Sequence, residues 1–138
     1  MAEPCPMCRY ARDAKASASW TLSAASYCPS LNRVGVNGKN NNAYRWWRNQ
    51  WAKLLKDQVG AVPPAAAKRR VTITRHYGTK QRAYDRINYA AGCKALLDVL
   101  VGYGVLYDDS ELWCEDHYRQ VKSVDGVDRV TVLVEELA

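Results

Sequence analysis

Between residues 42 and 103 the chain changes its hydrophobic period twice, and that change restricts the fold more than any other property of the sequence. Tyr44, Trp47, Trp51, Leu54, Leu55 and Gln58 recur at spacings of three and four, which is the period of one helix face. Residues 70–76 (RVTITRH) then alternate, with Val71 and Ile73 on one side and Thr72 and Thr74 on the other, as a half-buried strand does. The helical period returns over 86–103, where Tyr89, Cys93, Leu96, Leu97, Leu100 and Val101 form a stripe. One strand is predicted before these segments, at 19–26, and two after them, at 112–122 and 128–137. The last two are joined by SVDGV, whose Asp125-Gly126 pair is a hairpin signal. The predicted order is β-α-β-α-β-β, an α+β fold with a mixed sheet of about four strands and two main helices on one face.

A chain of 138 residues makes one domain. Residues 1–17, with Pro4, Pro6 and the small-residue tract AKASAS, read as a flexible N-terminal extension, leaving 18–138 as the domain. The stretch CPSLNRVGVNGKNNN is rich in Gly and Asn and reads as a long loop, a kind that is usually functional or mobile. No apolar run approaches the ~20 residues of a membrane span, and the first residues lack the apolar core of a signal peptide. A soluble cytoplasmic protein without a membrane partner is expected.

The charges are segregated along the chain. Residues 1–84 carry 15 Lys/Arg against 3 Asp/Glu, whereas residues 85–138 carry 5 against 11. A basic half joined to an acidic half points to phosphate attraction on one side and cation binding on the other; mutual neutralisation on folding is the plainer alternative. The basic residues concentrate on the first helix (Arg45, Arg48, Lys53) and around the 70–76 strand (Lys68, Arg69, Arg70, Arg75, Lys80, Arg82). Trp46 lies off the buried stripe beside the arginines, where it either stacks on a base or packs against a neighbouring element.

The acidic residues bracket the second helix. Asp85 stands at its N-cap, and Asp108-Asp109 follow its end beyond Gly102 and Gly104. Mg²⁺ is commonly held by one or two carboxylates plus substrate phosphates, while capping alone would account for Asp85. A continuous helix of about 18 residues would be ~27 Å long, and six further residues retrace only ~20 Å. Asp109 therefore reaches Asp85 only if the helix starts late, bends, or is completed by a second subunit.

Asp85, Asn88, Ala91, Gly92, Lys94, Asp98, Leu100, Gly104, Asp108 and Asp109, together with CPSLNR at 28–33, resemble the pattern of the RusA-type Holliday junction resolvases, small phage and prophage endonucleases. The resemblance runs from about Trp20 to the C-terminus. It implies a Mg²⁺-dependent homodimeric endonuclease, with Mn²⁺ as a substitute, that cuts four-way DNA junctions in recombination and repair within a bacterial host. By family position Asp85, Asp109 and Lys94 would be catalytic, and Asp85, Asp108 and Asp109 would hold the metal. Asn32, Arg33, Lys39, Arg45, Arg48, Lys68, Arg69, Arg70, Arg75, Lys80, Arg82 and Asn88 would face the branched DNA. One position departs from the pattern: Ile87 stands where the family carries a second Asp. Loss of an oxygen ligand there leaves open a degenerate member that binds junctions without cutting them.

Five cysteines without a secretion signal do not suggest a disulfide framework. Cys5 and Cys8 with Cys114 and His117 have the composition of a zinc site. Residues three apart in a strand face opposite sides, so structural zinc is not expected. A basic adaptor that binds single-stranded RNA through Trp46 and the arginines of the first helix is a more remote alternative.

Overall fold

The alternating stretches become one four-stranded sheet, and the apolar stripes of the helices cover one of its faces. In the computed structural model, residues 16–30 and 41–137 are described, apart from the side chains of 16 and 41. The elements are β1 (Ala16–Ala24), α1 (Asn41–Val59), β2 (Arg69–Tyr77), α2 (Arg86–Gly92), α3 (Lys94–Gly102), β3 (Cys114–Lys122) and β4 (Arg129–Leu137). The molecule is thus a small α+β domain with a mixed sheet. β1 begins at Ala16, inside the stretch expected to be an extension. Asn32, Arg33 and Lys39 of the expected loop, and the Cys5-Cys8 pair, lie outside the described residues.

The sheet order is β1-β4-β2-β3. β4 runs antiparallel to both β1 and β2, and β2 runs parallel to β3. The Asp125-Gly126 turn therefore does not close a hairpin. It carries the chain across the end of β2, where Ser123 N–H donates to Tyr77 O at 2.9 Å and Gly78 N–H donates to Asp128 Oδ1 at 2.6 Å. Gly126 takes φ 74°, the left-handed conformation that the turn requires. Side-chain chemistry accounts for the order. β4 presents Val130, Val132 and Val134 to the core, while β3 carries Glu115, Asp116, His117 and Arg119, and a charged strand suits an open sheet edge.

One core joins the layers. Trp47, Trp51 and Leu55 of α1 pack with Leu96 and Leu100 of α3 over Leu22, Val71, Ile73, Val130, Val132 and Val134. Gln58, at the end of the α1 stripe, pairs with the outer edge of β1: its Nε2 donates to Ser23 O and its Oε1 accepts from Ser23 N–H, both at 2.7 Å. The amide thereby satisfies a backbone donor and a backbone acceptor on that edge of β1.

The expected 86–103 helix is two helices. Cys93 leaves helical geometry at φ −86°, ψ 0°, and its N–H bonds back to Ala90 O. Packing fixes the position of the break. A Cβ on Gly92 would lie 3.0 Å from the carbonyl carbons of Pro29 and Ser30 and closer still to the Pro29 oxygen. The Cys28 and Cys93 sulfurs lie 3.7 Å apart, both buried and both reduced. The backbone after β1 thus wedges against the junction of α2 and α3.

Candidate functional site

Lys94 is the first residue of α3, the positive end of the helix dipole, where helix stability alone favours an acid. Two carboxylates offset that placement. The Lys94 ammonium lies 3.0 Å from Asp98 Oδ1, one turn along α3, and 2.5 Å from Asp109 Oδ2. From α1, the Tyr44 hydroxyl donates to the other Asp98 oxygen. The result is a connected set, Tyr44, Asp98, Lys94 and Asp109, that spans α1, α3 and the turn after α3.

The short α3 makes this possible. Nine residues rise about 13 Å, a span that the chain retraces before Asp109. The break at Cys93 therefore brings Asp109 back to the start of α3. Hydrogen bonding to Asp109 holds the Lys94 ammonium well above its ordinary pKa, and the same bond keeps Asp109 below the usual carboxylate range. Burial, followed by the bond to Asp98, raises the Tyr44 phenol. Because the Asp109 pKa is depressed, the pair's contribution is present above the ordinary carboxylate pKa and is lost as pH falls through the lowered value. The raised Lys94 value sets the other limit: that contribution is lost only as pH rises past the ordinary lysine range. In Lys94→Met, Asp109 is expected to titrate at higher pH than in the wild type, back toward the ordinary carboxylate range, as followed by carboxyl carbon NMR. An Asp109 titration unmoved by the substitution would refute the ion pair.

Asp85 is occupied elsewhere. As N-cap of α2 it accepts from Asn88 N–H at 2.9 Å and, through its second oxygen, from Asn88 Nδ2 at 2.5 Å. Ile87, in the first turn of the same helix, is 72% exposed. Among the described residues no three His, Cys, Asp or Glu side chains are grouped to hold a metal ion. Asp85, Asp108 and Asp109 are therefore not gathered in a single chain: Asp85 serves the start of α2 and Asp109 the start of α3. Cys114 is buried and His117 exposed, with His117 Nε2 3.0 Å from Glu115 Oε2.

No family model matches the chain, and no curated protein does.

The expected DNA-facing cations divide into two groups. Arg45, Arg48, Lys68, Lys80 and Arg82 are exposed, and Trp46 stands beside the first two at 54% exposure, edge-on to Trp47. Arg69 and Arg75 are each 1% exposed, which removes them from any surface that phosphates can reach. The Arg69 guanidinium donates to Pro63 O at 2.7 Å and Val105 O at 3.0 Å and lies over the Trp20 ring. Arg75 donates to Arg82 O at 2.9 Å and Gln120 Oε1 at 2.7 Å, against the Tyr84 ring. Their parity was the available signal, since 69, 71, 73 and 75 share one face of β2 with the core residues Val71 and Ile73. Arg70, on the opposite face, is paired with Glu135 at 3.0 Å and Glu115 at 3.4 Å. The sequence reading missed Tyr44 as a site residue. A half-buried phenol on an apolar stripe needs a partner for its hydroxyl, and Asp98 supplies it.

Proposed function

We propose that the chain is a RusA-type endonuclease that acts on four-way DNA junctions. One observation carries this reading: three separate stretches that bear the resemblance meet in space. Pro29 and Ser30 press on Gly92, and two residues later Lys94 reaches Asp109. Contact among such distant segments is what a shared architecture requires, and composition alone would not demand it. The exposed cations on α1 and around β2 supply the electrostatic footprint for a phosphate backbone.

Mg²⁺, or Mn²⁺ in its place, would be held by oxygen donors at Asp108 and Asp109 with Asp85 supplied by a second copy of the chain, and would polarise the scissile phosphate. Lys94 lies where it can offset negative charge on that phosphate once its hold on Asp109 loosens. With Asp85 on one helix start and Asp109 on another, a homodimer matched to the two-fold junction is the assembly in which paired cuts arise.

Ile87 favours a second reading, a protein that binds junctions without cutting them, because an exposed aliphatic side chain stands where the family has an oxygen donor. A labelled four-way junction incubated with the purified protein and Mg²⁺ separates the two. For a nuclease, Asp109→Asn is expected to lower cleavage by about a hundredfold or more while binding persists. For an idle binder, cleavage is absent and Ile87→Asp, harmless to the fold at so exposed a site, is expected to introduce it. Failure to bind junctions in preference to duplex would defeat both readings.

A further inference from the structure

Cys28 and Cys93 are both fully buried, and their sulfurs face each other at 3.7 Å across 65 residues of sequence. A single buried cysteine is a small apolar core residue. A facing pair differs, because two thiols in contact can lose two electrons and become one bond. That bond needs sulfurs about 2.0 Å apart on backbones already close together. The backbones are close here: a Cβ on Gly92, next to Cys93, would lie 3.0 Å from the carbonyl carbon of Pro29, next to Cys28. Side-chain rotation can therefore cover the remaining gap with little backbone travel.

In the closed fold the pair is unreactive. Burial, with the Cys28 sulfur beside it, pushes the Cys93 thiol well above its ordinary pKa, and the thiolate is the form that reacts. The two sides of the pair are held differently. Cys93 lies at the junction of α2 and α3. Cys28 belongs to the stretch 25–30 after β1, which has no helix or strand and, among the described residues, makes no backbone–backbone hydrogen bond. The Tyr84 hydroxyl, which donates to Cys28 O at 2.8 Å, and the Tyr27 ring, edge-on to Trp47, anchor it together with its packing on Gly92. A segment so held opens at lower cost than core strands or helices.

We infer that Cys28 and Cys93 form an oxidation site: when the 25–30 segment lifts, a peroxide joins the two sulfurs in a reversible disulfide that ties the end of β1 to the start of α3. The Cys28 sulfur attacks a peroxide oxygen, an S–O bond forms as the O–O bond breaks, and a sulfenic acid and one water result. The Cys93 sulfur then attacks the Cys28 sulfur, the S–S bond forms, and the hydroxyl leaves with the Cys93 proton as a second water. Two thiols are oxidised and one peroxide is reduced. A thiol reductant reverses the change by exchange. Because Cys93 directly precedes Lys94, the oxidised chain keeps the start of α3 docked. This site does not depend on the junction reading.

The test treats the folded full chain with hydrogen peroxide, blocks remaining thiols with N-ethylmaleimide in denaturant, and maps the unreduced peptides by mass spectrometry. A peptide pair joined through Cys28 and Cys93, lighter by two hydrogens than its reduced parts, is expected. The thermal midpoint is expected to rise by roughly 10 °C, as a bridge closing a long loop gives, and to fall back with dithiothreitol. Cys93→Ala is expected to abolish the rise. Tyr84→Phe keeps the ring against Arg75 but removes the hydroxyl that holds Cys28 O, and is expected to speed linkage about fivefold. Should Cys93→Ala fail to fold, the mapped peptide and Tyr84→Phe decide. The inference is overturned if both thiols stay free in treated protein that remains folded, if either bridges instead to Cys5, Cys8 or Cys114, or if linkage leaves the midpoint unmoved. A linkage rate unchanged in Tyr84→Phe overturns the lifting of 25–30 as its route.

Discussion

Gly92→Ala is expected to lower unfolding free energy by about 3 kcal/mol, the upper range for forcing extra volume into a packed interior. In an ordinary helix the same substitution stabilises by up to about 1 kcal/mol. Here the sign reverses because the added methyl would sit 3.0 Å from two backbone carbons, Pro29 C and Ser30 C, and nearer still to a carbonyl oxygen. Backbone cannot rotate aside as the end of a flexible side chain can. Relief would require the 28–30 segment to lift off the α2–α3 junction, taking with it the buried Cys28–Cys93 contact. Gly102→Ala serves as the control, since a Cβ there meets nothing within 4 Å, and it is expected to be neutral or mildly stabilising. Urea denaturation midpoints compare the two, and a Gly92→Ala protein as stable as wild type would contradict the close approach.

Arg75→Met is expected to cost about 2 kcal/mol and to open the loop before α2. Two effects compete. Removing a buried cation relieves a desolvation penalty, because no carboxylate among the described residues pairs with it. Against that, the substitution deprives the part-buried Arg82 O of its donor and removes one of the bonds at Gln120 Oε1, and a part-buried acceptor left unpaired costs about 1 kcal/mol, the low end of the range for buried groups. It also removes a cation 3.6 Å from the Tyr84 ring centre, worth up to about 2 kcal/mol when desolvated. The losses exceed the relief. Gln120 retains its two bonds to the Tyr84 backbone, at 2.9 and 2.8 Å, so the loop loosens without detaching. Faster trypsin cleavage after Lys80 or Arg82 together with a lowered urea midpoint is the expected pair of results. An unchanged midpoint would show that the buried charge was as costly as its bonds were favourable.

Local pattern carried much of the fold into view. Val71 and Ile73 alternating with Thr72 and Thr74 made β2 legible, and the three-and-four spacing of Trp47, Trp51 and Leu55 made α1 legible, because each pattern is a direct consequence of burying one face. The insertion of β4 between β1 and β2 left no such trace, since strand order depends on partners more than fifty residues apart, and Asp125-Gly126 encodes a turn without encoding which strands it joins. The break at Cys93 was hidden for the same reason: its cause lies in Pro29 and Ser30. At the candidate site, Lys94, Asp98 and Asp109 were all visible from the sequence, whereas their link to Tyr44 needed the packing of α1 on α3. The burial of Arg69 and Arg75 could have been read from parity alone, because charge drew them to the surface in the sequence reading while alternation placed them inside.

The position of β4 also governs when the protein can fold. β1 is made early, yet the strand it pairs with is separated from it by more than a hundred residues, and β2 needs the same strand on its other side. Until β4 leaves the ribosome, β1 has no strand partner among the described residues and β2 has only the charged β3. The nascent chain must therefore hold its apolar strand faces without a finished sheet, a circumstance that favours slow folding and exposure to chaperones. A chain ending before Arg129 lacks the strand that joins β1 to β2, and it is accordingly not expected to fold as a smaller version of the domain.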